Sequence, residues 1–108
     1  MDFLKLMGKA KELQTRMGEL QEELKAIEAT GEAGAGSVKA TVNGQMNLTG
    51  IKIDPSLLKP EEAEIVEDLV MAAITDARNK VEPMVQEKTQ GLMGSLGLPA
   101  GLKLPFGG

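Results

Sequence analysis

The sequence predicts an α+β fold, two long helices enclosing a small antiparallel sheet. Three observations carry this: an N-terminal apolar repeat at heptad spacing, an Asn-Gly pair closing a run of alternating residues, and a second, broader apolar stripe from Ile65 to Met84.

In the first element the apolar residues fall at Phe3, Leu6, Ala10, Leu13, Met17, Leu20, Leu24 and Ile27. This strict alternation of three and four is the seam of a long amphipathic helix. Asp2 serves as its N-cap and Thr30-Gly31 as its stop, which makes it about 40 Å long. Gly8 and Gly18 oppose it at about 1 kcal/mol each relative to Ala, so the helix depends on tertiary or dimer packing.

The stretch TGEAGAGSVKATVNGQ, residues 30–45, then concentrates glycine. A phosphate cradle requires a strand, a glycine loop closing in Gly-Lys-Ser/Thr, and a helix, in that order. Here the order is helix, glycines, strand, and the lysine is missing. Gly31 therefore reads as a helix C-cap, with Gly34 and Gly36 turning the chain into the sheet.

Val38, Ala40 and Val42 alternate with polar residues, and Asn43-Gly44 predicts a tight hairpin whose return strand carries Met46 and Leu48. Ile51 and Ile53 change the phase, which a bulge at Gly50, or a break there into a third short strand, explains. Pro60 and the acidic Glu61, Glu62 and Glu64 open a second helix. Its stripe is Ile65, Val66, Leu69, Val70, Ala73, Ile74, Ala77, Val81 and Met84. Pro83 predicts a kink or a stop, with helix resuming to about Lys88. Residues 1–90 read as one domain and 91–108 as a Gly/Pro/Leu-rich tail, too punctuated for regular structure, that folds back on the body or docks on a partner subunit.

Composition narrows the function. The 108 residues contain no Cys, His or Trp and only two Phe. Thiolate and histidine metal sites and the commonest general base are thereby excluded, and aromatic platforms for stacking bases are nearly absent, which weakens a single-strand reader. No nucleophile–base pair is visible, so the chain is not expected to be an enzyme, and no cofactor, metal or small-molecule substrate is expected. The acidic group Glu61, Glu62, Glu64, Glu67 and Asp68 suits a helix N-terminus better than a metal. No apolar run is long enough to span a membrane, and the charged start does not resemble a signal peptide, so a cytoplasmic location is expected.

The formal net charge is -4, but the charges segregate. Lys5, Lys9, Lys11 and Arg16 occupy the first two-thirds of the first helix, and Glu19, Glu22, Glu23, Glu28 and Glu32 follow with only Lys25 among them. On the residues alone, the basic group is most simply a solvated flank pairing with Glu12 and Glu19.

The heptad helix, TGEAGAGSVKATVNG, IKIDPSLL, EEAEIVEDLVMAAITDARNKV and the closing LPAGLKLPF, in that order, resemble the YbaB/EbfC family of bacterial nucleoid-associated proteins. The resemblance implies an α-β-β-β-α protomer in an intertwined, tweezer-like homodimer that binds double-stranded DNA, organises the nucleoid and influences gene expression. It makes Lys5, Lys9, Lys11, Arg16, Lys39, Arg78 and Lys80 candidates for DNA contact. Candidates for the dimer interface are Leu13, Met17, Leu20, Leu24, Val66, Leu69, Val70 and Ala73. Contacts should go mainly to phosphates with weak sequence preference. The competing expectation is an adaptor for replication or recombination proteins, with DNA contact secondary.

Overall fold

The computed structural model describes residues 2–95. Helix α1 spans Phe3–Ala26, strands β1, β2 and β3 span Glu28–Ala33, Val38–Asn43 and Leu48–Ile53, and helix α2 spans Ala63–Ser95. Two 3-10 turns, Pro55–Leu57 and Pro60–Glu62, lead into α2. The sheet is antiparallel in the order β1-β2-β3. The α-β-β-β-α order agrees with the sequence reading, and the 69 × 20 × 17 Å envelope is long and thin.

Asp2 caps α1 as expected, its carboxylate accepting from the Leu4 N–H at 3.1 Å. The other end differs from expectation. The helix stops at Ala26, and Gly31 is not a C-cap but the middle of β1, paired with Ala40. A Cβ on Gly31 would stand 2.8 Å from Ala77 Cα and closer still to Ala77 N and Ala73 O. The glycine is there because α2 lies backbone-to-backbone on the sheet at this point. Ala29, Gly31 and Ala33 alternate with Glu28, Thr30 and Glu32, so β1 does show a period of two, carried by residues too small to register as an apolar run.

Ala33 and Val38 are joined by a turn in which Gly34, Ala35 and Gly36 all have positive φ. The turn links two strands, and no helix N-terminus follows it, which answers the phosphate question geometrically. Asn43 and Gly44 do close a hairpin, but its loop is wider than a two-residue turn. The buried Asn43 carboxamide oxygen accepts from Gln45 N at 2.9 Å and Asn47 N at 3.1 Å. Met46 sits in that loop at φ 64 rather than on the return strand. Across β2 and β3 the register steps from Thr41–Gly50 to Val42–Leu48, leaving Thr49 as the extra residue of a bulge. That bulge produces the phase change, and the third strand comes from β1 instead of from a break at Gly50.

α2 is continuous through Pro83 and runs to Ser95. The helix does not stop at Pro83, and residues 91–95 are helical rather than irregular. Gly91–Ser95 is helical and Met93 is buried, while the remainder of the tail lies outside the described residues.

The core is a single helix-on-sheet layer. Val38 and Ala40 pack with Ala73, and Val42 packs with Ala77 and Val81. α1 joins this layer only at its C-terminal end, where Leu20 and Leu24 are buried and Gly44 N donates to Leu24 O and Ile27 O, both at 2.9 Å. Gln45 adds a 3.1 Å bond to Gln21.

The two sheet edges are treated differently. At β1, Glu32 N–H donates to Asp76 Oδ2 at 3.0 Å and Lys80 Nζ donates to Thr30 O at 3.4 Å, with Lys80 and Asp76 themselves paired at 3.0 Å. This edge is therefore occupied by α2 side chains. The Glu32 N–H and, next, Lys80 hold the Asp76 carboxyl below its usual range. Asp54 is lowered in the same way by the Ser56 N–H and hydroxyl at the first 3-10 turn. At β3, no described residue bonds to the outward backbone.

Gly31→Ala should lower stability by about 2–3 kcal/mol by overpacking β1 against α2. Gly8→Ala and Gly18→Ala, where an added Cβ meets nothing within 4 Å, should each raise it by up to about 1 kcal/mol. Urea unfolding of the three variants checks both signs. Because the folded state holds the Asp76 pKa below the ordinary carboxyl value, its contribution is present above that ordinary value and is lost as pH falls through the folded one. Thermal melts below about pH 4 should accordingly drop less steeply for Asp76→Asn than for the parent chain.

Candidate nucleic-acid interface

The cationic candidates do not form one patch. α1 carries four of them, and at about 100° per residue Lys5, Lys9 and Arg16 fall within about 40° of arc, a straight row along the helix. Lys11 lies on the far side of α1, roughly 140° from that row. Arg16 is 4.0 Å from Glu12, whereas Lys5, Lys9 and Lys11 have no ion-pair partner among the described residues.

The row stands on a projecting element. Residues 3–16 are exposed throughout, and the groove between the helices, lined by Arg16, Leu20 and Glu23 of α1 and Met84, Lys88 and Leu92 of α2, reaches along α1 only as far as Arg16 among the described residues. Beyond it α1 is an arm. Within residues 2–16 there are four cations against Asp2 and Glu12; within 17–32 there is Lys25 against Glu19, Glu22, Glu23, Glu28 and Glu32. The charge separation read from the sequence thus coincides with the boundary between arm and body.

The remaining candidates lie elsewhere. Lys39 is on the sheet face opposite α2, 3.7 Å from Glu32 and cross-strand from Lys52. Lys80 is committed to Asp76 and the β1 edge. Arg78 is exposed on the β3-side flank of α2, since helical spacing places it away from Asp76 and Lys80. Sequence reasoning missed the Asp76–Glu32–Lys80 arrangement because β1 was not recognised as a strand, and without it Asp76 and Lys80 read as an ordinary i,i+4 pair.

The apolar candidates divide as well. Leu20, Leu24 and Ala73 are already buried inside the chain, and Leu69 and Val70 are half-buried against its core. Met17 and Val66 are half-buried and Leu13 is exposed. The sheet carries uncovered apolar surface of its own: Leu48 and Ile51 are 48% and 45% exposed, although they pair with Val42 and Ala40 and so share the face that α2 covers. α2 packs mainly on β1 and β2 and leaves β3 uncovered except at Ile53, which is half-buried against the core. Met71 and Ile74, exposed and half-buried, stand on the flank of α2 turned toward that gap. This interface signal was present in the sequence only as unexplained hydrophobicity of β3.

Comparison with known proteins accords with this architecture. The chain is 52% identical over 105 residues to a nucleoid-associated protein of Bartonella tribocorum, covering 97% of this chain and 98% of that one. It is 50% identical over 101 residues to a nucleoid-associated protein of Rhodospirillum rubrum, covering 94% of each. The crystal structure of the uncharacterized protein HP0035 from Helicobacter pylori superposes with a TM-score of 0.74 at 30% identity, over 87% of this chain and 99% of that one. The family model for the YbaB/EbfC DNA-binding family matches residues 1–96, and the chain belongs to that family of nucleoid-associated DNA-binding proteins.

Proposed function

We propose that the protein works as a homodimer in the cytoplasm, associated with the nucleoid, that grips duplex DNA with its α1 arms. The row of Lys5, Lys9 and Arg16 on the projecting half of α1 is the observation that carries this reading. Three cations at one-turn and two-turn intervals on a rigid helix match a phosphate backbone, and none of them is drawn into the body of the protein. The net charge of -4 is compatible with it because the acidic residues are concentrated away from the arm.

The sheet supports the second copy. Among the described residues the fully buried large side chains are only Val38, Val42 and Val81, a slender core for a chain of this length. β3 is an open edge with an apolar face, a combination that single-chain proteins cover or charge. A second chain packed on Leu48, Ile51 and Met71 completes the layer and sets two arms on one particle. The arms contact phosphates rather than base edges, so binding tolerates many sequences, and its consequences for gene expression follow from how the DNA is held.

The acidic net charge and the exposed apolar residues of the arm favour a second reading, an adaptor for replication or recombination proteins. Removal of residues 96–108, which leaves α2 and the buried Met93 intact, should abolish partner recruitment and spare DNA binding if that reading holds.

The deciding experiment is a fluorescence-anisotropy titration of labelled duplex DNA at several salt concentrations. Combined reversal of Lys5, Lys9 and Arg16 to Glu should weaken binding by at least about tenfold at low salt and flatten the slope of log affinity against log salt by roughly 0.9 for each phosphate that is no longer neutralised. Lys11→Glu should have a smaller effect. An unchanged slope in the triple variant would rule out the arm as the element that meets the phosphates.

A further inference from the structure

The arm carries more than its basic row. Its heptad seam, Phe3, Leu6, Ala10 and Leu13, continues the line of Leu20 and Leu24, which the chain buries against itself, but no described residue covers these first positions. Phe3 is 72% exposed, and Leu6, Met7 and Leu13 are exposed too. Phosphate contact has no use for this ridge, and a solvent-facing helix does not need one.

We propose that the occupant of the ridge is the arm of a second copy, from a different dimer, lying antiparallel to it. The side chains fit that arrangement in two respects. First, with the heptad read as Phe3 at a and Leu6 at d, an antiparallel overlap centred near Gly8 stacks Phe3 on the second copy's Leu13 and Leu6 on its Ala10, large against large and large against small. A parallel overlap would instead oppose Ala10 with Ala10 and leave a gap. Second, the flanking g positions are Asp2, Lys9 and Arg16. Antiparallel pairing sets Asp2 beside Arg16 at both ends, whereas parallel pairing sets these charges against Met7, Gln14 and Gln21 and gains no ion pair.

The overlap spans about 20 Å, too short for a stable coiled coil in dilute solution. It also places Lys9 beside Lys9 at the symmetry axis, a repulsion that a phosphate backbone relieves. Dimers already held on one duplex present their arms at high effective concentration. DNA therefore promotes the contact, and the contact bridges one dimer to the next. That DNA effect rests on the function proposed above; the pairing of the ridges does not.

The test exploits the absence of native cysteine. Full-length Met7→Cys and Gln14→Cys proteins are treated with a short bismaleimide, with and without a duplex long enough for two dimers, and the products are counted by native mass spectrometry. Antiparallel pairing puts the two Met7 positions together at the axis and the two Gln14 positions about 20 Å apart. The expected result is a Met7→Cys link in four-chain assemblies, increased several-fold by DNA, with little Gln14→Cys link. Adding Phe3→Gln and Leu6→Gln should abolish the link while leaving the two-chain mass unchanged.

Absence of the Met7→Cys link with DNA present overturns the proposal. So do equal linking at Gln14→Cys, linking confined to two-chain particles, and a link that survives Phe3→Gln/Leu6→Gln. A link that appears only after residues 96–108 are removed makes the chain's own end the occupant and likewise overturns it. Anisotropy on a duplex that accommodates one dimer reads the DNA function separately: binding retained there without any link refutes arm pairing alone, and a link without DNA binding supports arm pairing while refuting the DNA reading.

Discussion

The close approach of α2 to β1 at Gly31 governs the rest of the molecule. Because that position has no side chain, the helix backbone at Ala73 and Ala77 can rest on the strand, and the alanines there are small for the same reason. A helix seated so near β1 covers β1 and β2 and leaves most of β3, all but Ile53, uncovered. Asp76 and Lys80 then reach the backbone of β1 and close that edge. One choice of residue thus fixes which half of the sheet is finished and which half is left largely uncovered.

The asymmetry has a counterpart in α1. Only its last turns are fastened, through Leu20, Leu24 and the bonds from Gly44, and the hairpin loop that provides those bonds is itself organised by the buried Asn43. The remainder of the helix extends free of the body, and it is there that the cations gather. In the proposed dimer, a stiff, basic projection from a body closed by a second copy is the simplest geometry for holding a charged rod. No part of it calls for a catalytic group, and the family to which the chain belongs is a DNA-binding family.

Much of this was legible in the sequence because it rests on patterns longer than a turn. The heptad of α1, the alternation of β2 and the stripe of α2 each repeat a period several times, and Asn43-Gly44 is a strong local turn signal between two such runs. β1 was not legible, since its inward positions are Ala29, Gly31 and Ala33, and a glycine flanked by polar residues after a helix resembles a C-cap. Pro83, where the sequence allowed a stop, does not end the helix. Its missing N–H costs one bond, but α2 is held on both sides of it, by Val81 before and Val85 and Met93 after, so packing carries the helix through. The row of Lys5, Lys9 and Arg16 could be drawn from helical spacing alone. That it lies on an arm, with Lys39 on the opposite sheet face and Lys80 tied to Asp76, required the tertiary structure.

The proposed dimer stands or falls on whether a second copy of the chain completes the half of the sheet that α2 leaves largely uncovered. Light scattering on the eluting protein, compared between the parent chain and Ile51→Lys, decides this. The expected mass is about twice the 11.4 kDa chain for the parent and that of one chain for the variant. A parent protein that elutes as a stable single chain at micromolar concentration, folded and with β3 still largely uncovered, would refute the shared sheet.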